Sequence, residues 1–205
     1  MLRAVALTKH FPGKQVIANF SFAWSSPGIY LIAGPNGVGK STLLAMLAGA
    51  LAADAGEVFV GDADLRNSPL SARRRLSFCP ADCPVFPFLT GQDWLGLLAS
   101  VRGQLNRQVL DQLMDGFQLH THLQTRFDQL SLGTARKILL LGSIAADTEI
   151  LLLDEPSNGL DAGSLVALQQ VLREQARQRL IILSCHEPAQ RQGFDIIPER
   201  TLSLS

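Results

Sequence analysis

The sequence predicts an α/β fold: a largely parallel sheet covered by helices on both faces, with a helical segment inserted into it. Short apolar runs at residues 5–7, 29–33, 58–60, Leu76–Cys79, Ile150–Leu153 and Leu180–Ser184 have the length and composition of strands. Runs as continuously apolar as Ile-Leu-Leu-Leu at 150–153 are what a strand buried on both faces requires. Helical patterns lie between them, and from about residue 82 to 142 the strand pattern lapses into Pro-rich sequence followed by helices.

Along the chain, strand 29–33 leads into a helix over 42–51, with Leu43, Leu47 and Leu51 on adjacent faces. In the inserted segment, Thr90 and Asp93 form a capping box before a helix carrying Trp94, Leu95, Leu97, Leu98 and Val101. A second helix carries Val109, Leu110 and Leu113, and a third spans 133–146. After strand 150–153, Leu165, Leu168, Val171 and Leu172 recur at helical spacing over 165–176. With no repeat and no low-complexity linker, the expectation is one domain, residues 1–205, whose core (1–81 and 147–205) flanks a helical subdomain at about 82–146.

Composition narrows the function. At 205 residues, 47% apolar and 18% charged, the chain is long enough and apolar enough to bury a core. Eighteen basic residues balance eighteen acidic ones, so no nucleic-acid partner is expected. The apolar stretch 138–153 is interrupted by Gly142, Ser143, Asp147, Thr148 and Glu149, so no membrane span is expected. The opening apolar run is too brief for the core of a signal peptide. Cys79 and Cys83 lack the spacing of a metal knuckle; with Cys185 they are expected to be thiols of a reducing cytosol.

Two segments carry chemistry. Strand 29–33 runs directly into Gly34, Pro35, Asn36, Gly37, Val38, Gly39, Lys40, Ser41 and Thr42, the strand, glycine-rich loop and helix start of a phosphate-binding loop. Glycines let backbone N–H groups curl around phosphate oxygens, and the helix N-terminus adds a favourable dipole. Lys40 would bring charge to the β- and γ-phosphates, and the Ser41 hydroxyl is positioned to ligate Mg²⁺. The second segment ends strand Ile150–Leu153 in Asp154 and Glu155, at the carboxyl edge where such sheets bind ligands. Asp154 would hold Mg²⁺ through water, and Glu155 would polarise the attacking water as general base.

Taken with the helical insertion, these motifs resemble the ATP-binding-cassette ATPases, and further segments match that family. Leu130, Ser131, Leu132, Gly133 and Thr134 stand where its Leu-Ser-Gly-Gly-Gln signature falls. Residues Ser157 to Asp161 resemble its D-loop, and His186 its γ-phosphate histidine. Phe11, after Lys9 and His10, occupies the place of the ring that meets adenine. The resemblance implies ATP and Mg²⁺ as cofactors, hydrolysis coupled to transport, and Glu155, His186 and Lys40 as catalytic residues. It further implies head-to-tail pairing with a second copy or a paralogous ATPase, each ATP lying between one phosphate loop and the other subunit's Ser131 and Gly133. The remaining implied partner is a separate membrane-spanning permease, which would place the chain in the cytoplasm, peripheral on the inner face of the cell membrane.

The chain departs from the family pattern at Leu132, usually Gly, at Thr134, usually Gln, and at Ala81, where the family's magnesium-reaching Gln is expected. Asp82 or a water is then left to take that place. Arg73, Arg74 and Arg75 are expected on a solvated surface. The apolar side chains of loop 83–89 either receive a cytoplasmic helix of the membrane partner or pack beneath the inserted helices. Two other functions remain beside transport: a non-transport cassette acting in assembly or regulation, and a weak nucleotide-dependent binding module. Neither the long coiled coil of chromosome-type cassettes nor the second cassette of translation-type ones is expected, and with few residues after His186 no further regulatory domain is expected. Glu155 and His186 place the binding module last.

Overall fold

The computed structural model describes residues 1–82, 84–185, 193–194, 196 and 198–204. In chain order the strands are β1 (Leu2–Phe11), β2 (Lys14–Trp24), β3 (Gly28–Ala33), β4 (Ala55–Val60), β5 (Ala63–Asp64), β6 (Leu76–Cys79), β7 (Ile150–Leu153), β8 (Leu180–Ser184) and β9 (Thr201–Ser203). The helices are α1 (Lys40–Leu47), α2 (Pro69–Arg74), α3 (Gly91–Arg102), α4 (Arg107–Gly116), α5 (Leu132–Ala145) and α6 (Ala162–Gln175). Helices α3, α4 and α5 all lie in the chain between β6 and β7. No helix among the described residues is long and apolar enough to cross a membrane.

Five strands form a parallel sheet in the order β6-β7-β8-β3-β9. Successive side chains of a strand point to opposite faces, and here both faces are covered. Ile29, Leu31, Leu151, Leu153, Ile181 and Leu183 pack on one side with Ile138 and Leu141 of α5, Leu168 and Leu172 of α6, and Phe117. Tyr30, Ile32, Ile150, Leu152 and Ile182 pack on the other with Leu43, Leu44 and Leu47 of α1. This double burial explains the continuous apolar runs. Each such buried side chain contributes about 1.5–3 kcal/mol.

Runs 5–7 and 58–60 belong instead to a second, antiparallel sheet, ordered β2-β1-β4-β5. Burial alternates through Leu2 and Ala4 and through Val58 and Val60, and a register shift between Ala4 and Leu7 brings Leu7 inward with them onto the α1 side of the core. β2, β5 and β9 have no counterpart in the sequence reading. β2 reverses from β1 through Pro12 and Gly13, whose φ of +76° suits glycine, so that Phe11 pairs with Lys14. Its alternate residues Phe20, Phe22 and Trp24 form an aromatic row continued by Tyr30, with Trp24 and Tyr30 stacked at 4.4 Å between ring centroids. Helix α1 begins two residues before the expected Thr42 and ends at Leu47, with Gly49 left-handed just beyond its Ala48 cap.

The capping box of α3 is present. Thr90 Oγ1 accepts from the Asp93 amide at 3.1 Å, and Asp93 Oδ2 accepts from the Thr90 amide at 2.9 Å. Hydrogen bonds from the Thr90 hydroxyl and amide hold the Asp93 carboxyl below its ordinary pKa. A depressed carboxyl stabilises the fold fully above its unfolded pKa of about 4 and loses that contribution as pH falls through the folded value. Thr90→Ala is therefore expected to lower the melting temperature at neutral pH by roughly 2–4 °C. The difference from the unmodified chain should shrink in acid. Equal melting at neutral pH would remove the cap from this account.

Candidate functional site

The parallel register brings several loops to one edge. Leu153 pairs with Leu183 and Ile32 with Ser184, so the residues that follow β7, β8 and β3 emerge side by side. Cys79 pairs with Leu153, which places the turn after β6 beside Asp154.

The loop from Gly34 to Gly39 carries positive φ at Gly34 (+152°), Gly37 (+73°) and Gly39 (+114°). A Cβ at Gly39 would meet Val16 Cγ1 at 2.6 Å, so this position requires glycine for space as well as conformation. Lys40 is 4% exposed; its Nζ donates to the carbonyls of Gly34 at 2.8 Å and Pro35 at 3.0 Å. Those two bonds shape the loop and, among the described residues, leave one of the three ammonium donors for a ligand. Helices α3, α4, α5 and α6 are capped by Thr90, Asn106, Ser131 and Asp161, whereas Gly39 gives α1 no side-chain cap. The first-turn N–H groups of α1 are thus available to an anion, in the dipole direction that favours one.

Asp154 is 2% exposed, and its Oδ1 accepts from Ser184 Oγ at 2.6 Å. The same Ser184 oxygen accepts from the Glu155 amide at 2.9 Å. Glu155 adopts φ +50°, uncommon without glycine, which turns the chain sharply off β7. Its Oε2 accepts from Asn158 Nδ2, so the D-loop holds the carboxylate of the strand end.

A cleft of about 500 Å³ joins these parts: Phe11, Pro12, Lys14, Val16, Gly37, Gly39, Lys40, Ser41, Thr42 and Glu155 line it. Gly34 and Pro35 act from behind through their carbonyls, Asn36 is exposed at the loop tip, and Val38 is half-buried against the α1 side of the core. Phe11 is 43% exposed, a flat apolar surface at the cleft wall. Ser131 and Gly133 are not among the cleft-lining residues; they start α5, where Ser131 Oγ accepts from the Thr134 amide at 3.1 Å. Lys137 of that helix pairs with Asp161 at 2.6 Å, joining it to the D-loop and holding the Asp161 carboxyl far below its ordinary range. Asp82 is exposed and is not among the cleft-lining residues. His186 and Cys83 lie outside the described residues.

Two residues here were missed from sequence. Ser184 carried a signal, a polar residue closing an otherwise apolar strand, but its partner 30 residues away did not. The buried Arg136 carried none, and Asn158 was read only as part of the D-loop, without its bond to Glu155.

The fold and cleft define an ATP-binding cassette, a P-loop ATPase domain, and comparison with known proteins agrees. The family model for "ABC transporter" matches residues 17–158, and the chain belongs to that family. It is 31% identical over 178 residues to the lipopolysaccharide export system ATP-binding protein LptB of Escherichia coli, covering 83% of this chain and 73% of that one. It is also 31% identical over 186 residues to the glucosylceramide transporter ABCA12 of Mus musculus, covering 88% of this chain but only 7% of that much longer protein. The solved ATP-binding subunit of an ABC transporter superposes with a TM-score of 0.85 at 24% identity, covering 99% of this chain and 85% of that one. A dimeric ATP-binding cassette in a post-hydrolysis state, bound to ADP and Pi, superposes with a TM-score of 0.84 at 18% identity, covering 100% of this chain and 94% of that one.

Ser184→Ala would leave the Glu155 amide and a buried oxygen of Asp154 without their bonds. The expected loss is about 1–3 kcal/mol, read as a lower urea midpoint at unchanged slope. An unshifted midpoint would show that water replaces the hydroxyl.

Proposed function

We propose that this chain binds ATP with Mg²⁺ and hydrolyses it, powering transport through a membrane-spanning permease that is a separate chain. The observation carrying the reading is that Lys40, the uncapped start of α1 and Glu155 open onto one cleft. Adenine would stack on Phe11, and the phosphates would lie against the Gly34–Thr42 loop and Lys40. Ser41 and Asp154 would hold Mg²⁺, which supplies charge neutralisation at the β- and γ-phosphates when bound. The Asp154 environment fits that role, since Ser184 occupies Oδ1 and, among the described residues, Oδ2 remains for a metal-bound water. Glu155 takes the proton of the attacking water, with Asn158 orienting its carboxylate. His186 completes the set at the γ-phosphate.

Two copies, or this chain and a paralogue, would pair head to tail so that Ser131 and Gly133 of one close over the ATP of the other. Leu132, between them, is 76% exposed, an apolar contact for that partner. The dimeric cassette of like fold supports the pairing, and the relative from a lipopolysaccharide export system supports a role in transport. The described apolar residues of loop 84–89 fall into two sets. Val85 and Leu89 pack on the core, while Phe86 and Phe88 are exposed with rings 5.8 Å apart and would receive the permease on the cytoplasmic face of the membrane.

Lys40→Ala is expected to weaken Mg-ATP binding by roughly 10–100-fold in calorimetry while circular dichroism is retained. Unchanged affinity would sink the assignment of the loop. Glu155→Gln keeps volume and binding groups but removes the base, so turnover should fall on the order of 10²–10⁴-fold. An ATP-bound dimer should then accumulate in size-exclusion chromatography. Hydrolysis at the unmodified rate would take Glu155 out of the role.

A further inference from the structure

Arg136, on the second turn of α5, is 4% exposed, in a place where an aliphatic side chain would satisfy packing. Its guanidinium instead reaches four backbone carbonyls on two separate segments. Nη1 donates to Pro80 and to Ala81 at 2.8 Å; Nη2 donates to Asp154 at 2.5 Å and to Glu155 at 3.3 Å. The first pair is the turn after β6, where the side chain at position 81 is a methyl group and carries no amide toward the cleft. The second pair is the corner that carries the metal-binding and water-activating carboxylates. A planar fork offers four donors in fixed directions, one for each carbonyl, where an ammonium has only three on one atom.

A second arginine marks the other end of the same edge strand. Arg102, closing α3, donates to Arg73 O at 2.7 Å and Leu76 O at 2.9 Å, so the inserted helices grip β6 at its entry as well. Of the two arginines, it is Arg136 that also touches the Asp154–Glu155 corner.

We infer that Arg136 is the positioning residue that couples the nucleotide site to the inserted helices in this chain, through backbone carbonyls in place of a side-chain amide at position 81. When the Asp154–Glu155 corner moves with bound nucleotide, the guanidinium carries turn 80–81 and α5 with it. This rests on the nucleotide reading above, and the experiment keeps the two apart.

Hydrogen exchange is measured on the unmodified chain, Arg136→Lys and Arg136→Met, each with and without Mg-ATP, beside steady-state ATPase kinetics. Protection of loop 34–42 by Mg-ATP reports binding; its absence in the unmodified chain would defeat the proposed function. Nucleotide-dependent protection of residues 80–82 and α5 reports coupling. In the unmodified chain both are expected; in the variants the loop stays protected and the coupled protection is lost. kcat is expected to fall on the order of 10²-fold in Arg136→Met, with KM for Mg-ATP changed less than about threefold, because the corner shifts while Lys40 stays in place. Arg136→Lys should fall between, and it decides alone if Arg136→Met does not fold. Coupled protection that survives in a folded variant, or is missing from an unmodified chain whose loop is protected, overturns the inference.

Discussion

The lateral register of β7 against β8 is the constraint on which the site depends. With Leu153 opposite Leu183, the residue that follows β7 lies beside Ser184, and one hydroxyl at 2.6 Å ties the buried Asp154 to the neighbouring strand. A slip of one residue would send every side chain of β7 to the opposite face. The apolar residues of both faces forbid that slip: Leu151 and Leu153 belong to one core cluster, Ile150 and Leu152 to the other. The packing that stabilises the sheet is thus the same packing that aims its carboxyl edge.

Several local features of that edge are unfavourable by themselves. Glu155 is left-handed without being glycine, α1 starts without a side-chain cap, and the Lys40 ammonium is folded inward onto loop carbonyls. A strained backbone position of this kind costs about 1–3 kcal/mol, and the surrounding core offsets it. A bound polyphosphate would use these features together, since it would supply the missing cap of α1 and a partner for the Lys40 charge. Among the described residues no side chain caps α1, so these features suit an anion brought from outside.

The inserted helices are joined to this edge by cations and backbone carbonyls. Arg102 and Arg136 hold the two ends of β6, and Lys137 holds the D-loop through Asp161. Hydrogen bonds to carbonyls respond to where a backbone goes, whatever side chain it bears. The methyl side chain of Ala81 leaves its own carbonyl bonded to Arg136, which also reaches the Asp154–Glu155 corner.

Local sequence determined what local physics controls. The glycines and lysine of residues 34–40, the apolar strands of the parallel sheet and the Thr90–Asp93 cap were all legible, because each depends on near neighbours or on simple periodicity. β2 was hidden because its half-buried, alternating pattern is weak and its turn is only Pro12 and Gly13. Runs 5–7 and 58–60 were legible as strands but not as members of a separate sheet, since pairing partners are set by the chain's path. Ser184 and Arg136 acquire meaning only from partners far along the chain, at Asp154 and at Pro80 and Ala81. The sequence by itself determined which groups could meet a phosphate. The tertiary structure decided which distant serine and arginine hold those groups in place, because long-range hydrogen bonds follow from sheet register and helix docking, and neither is written in a local pattern.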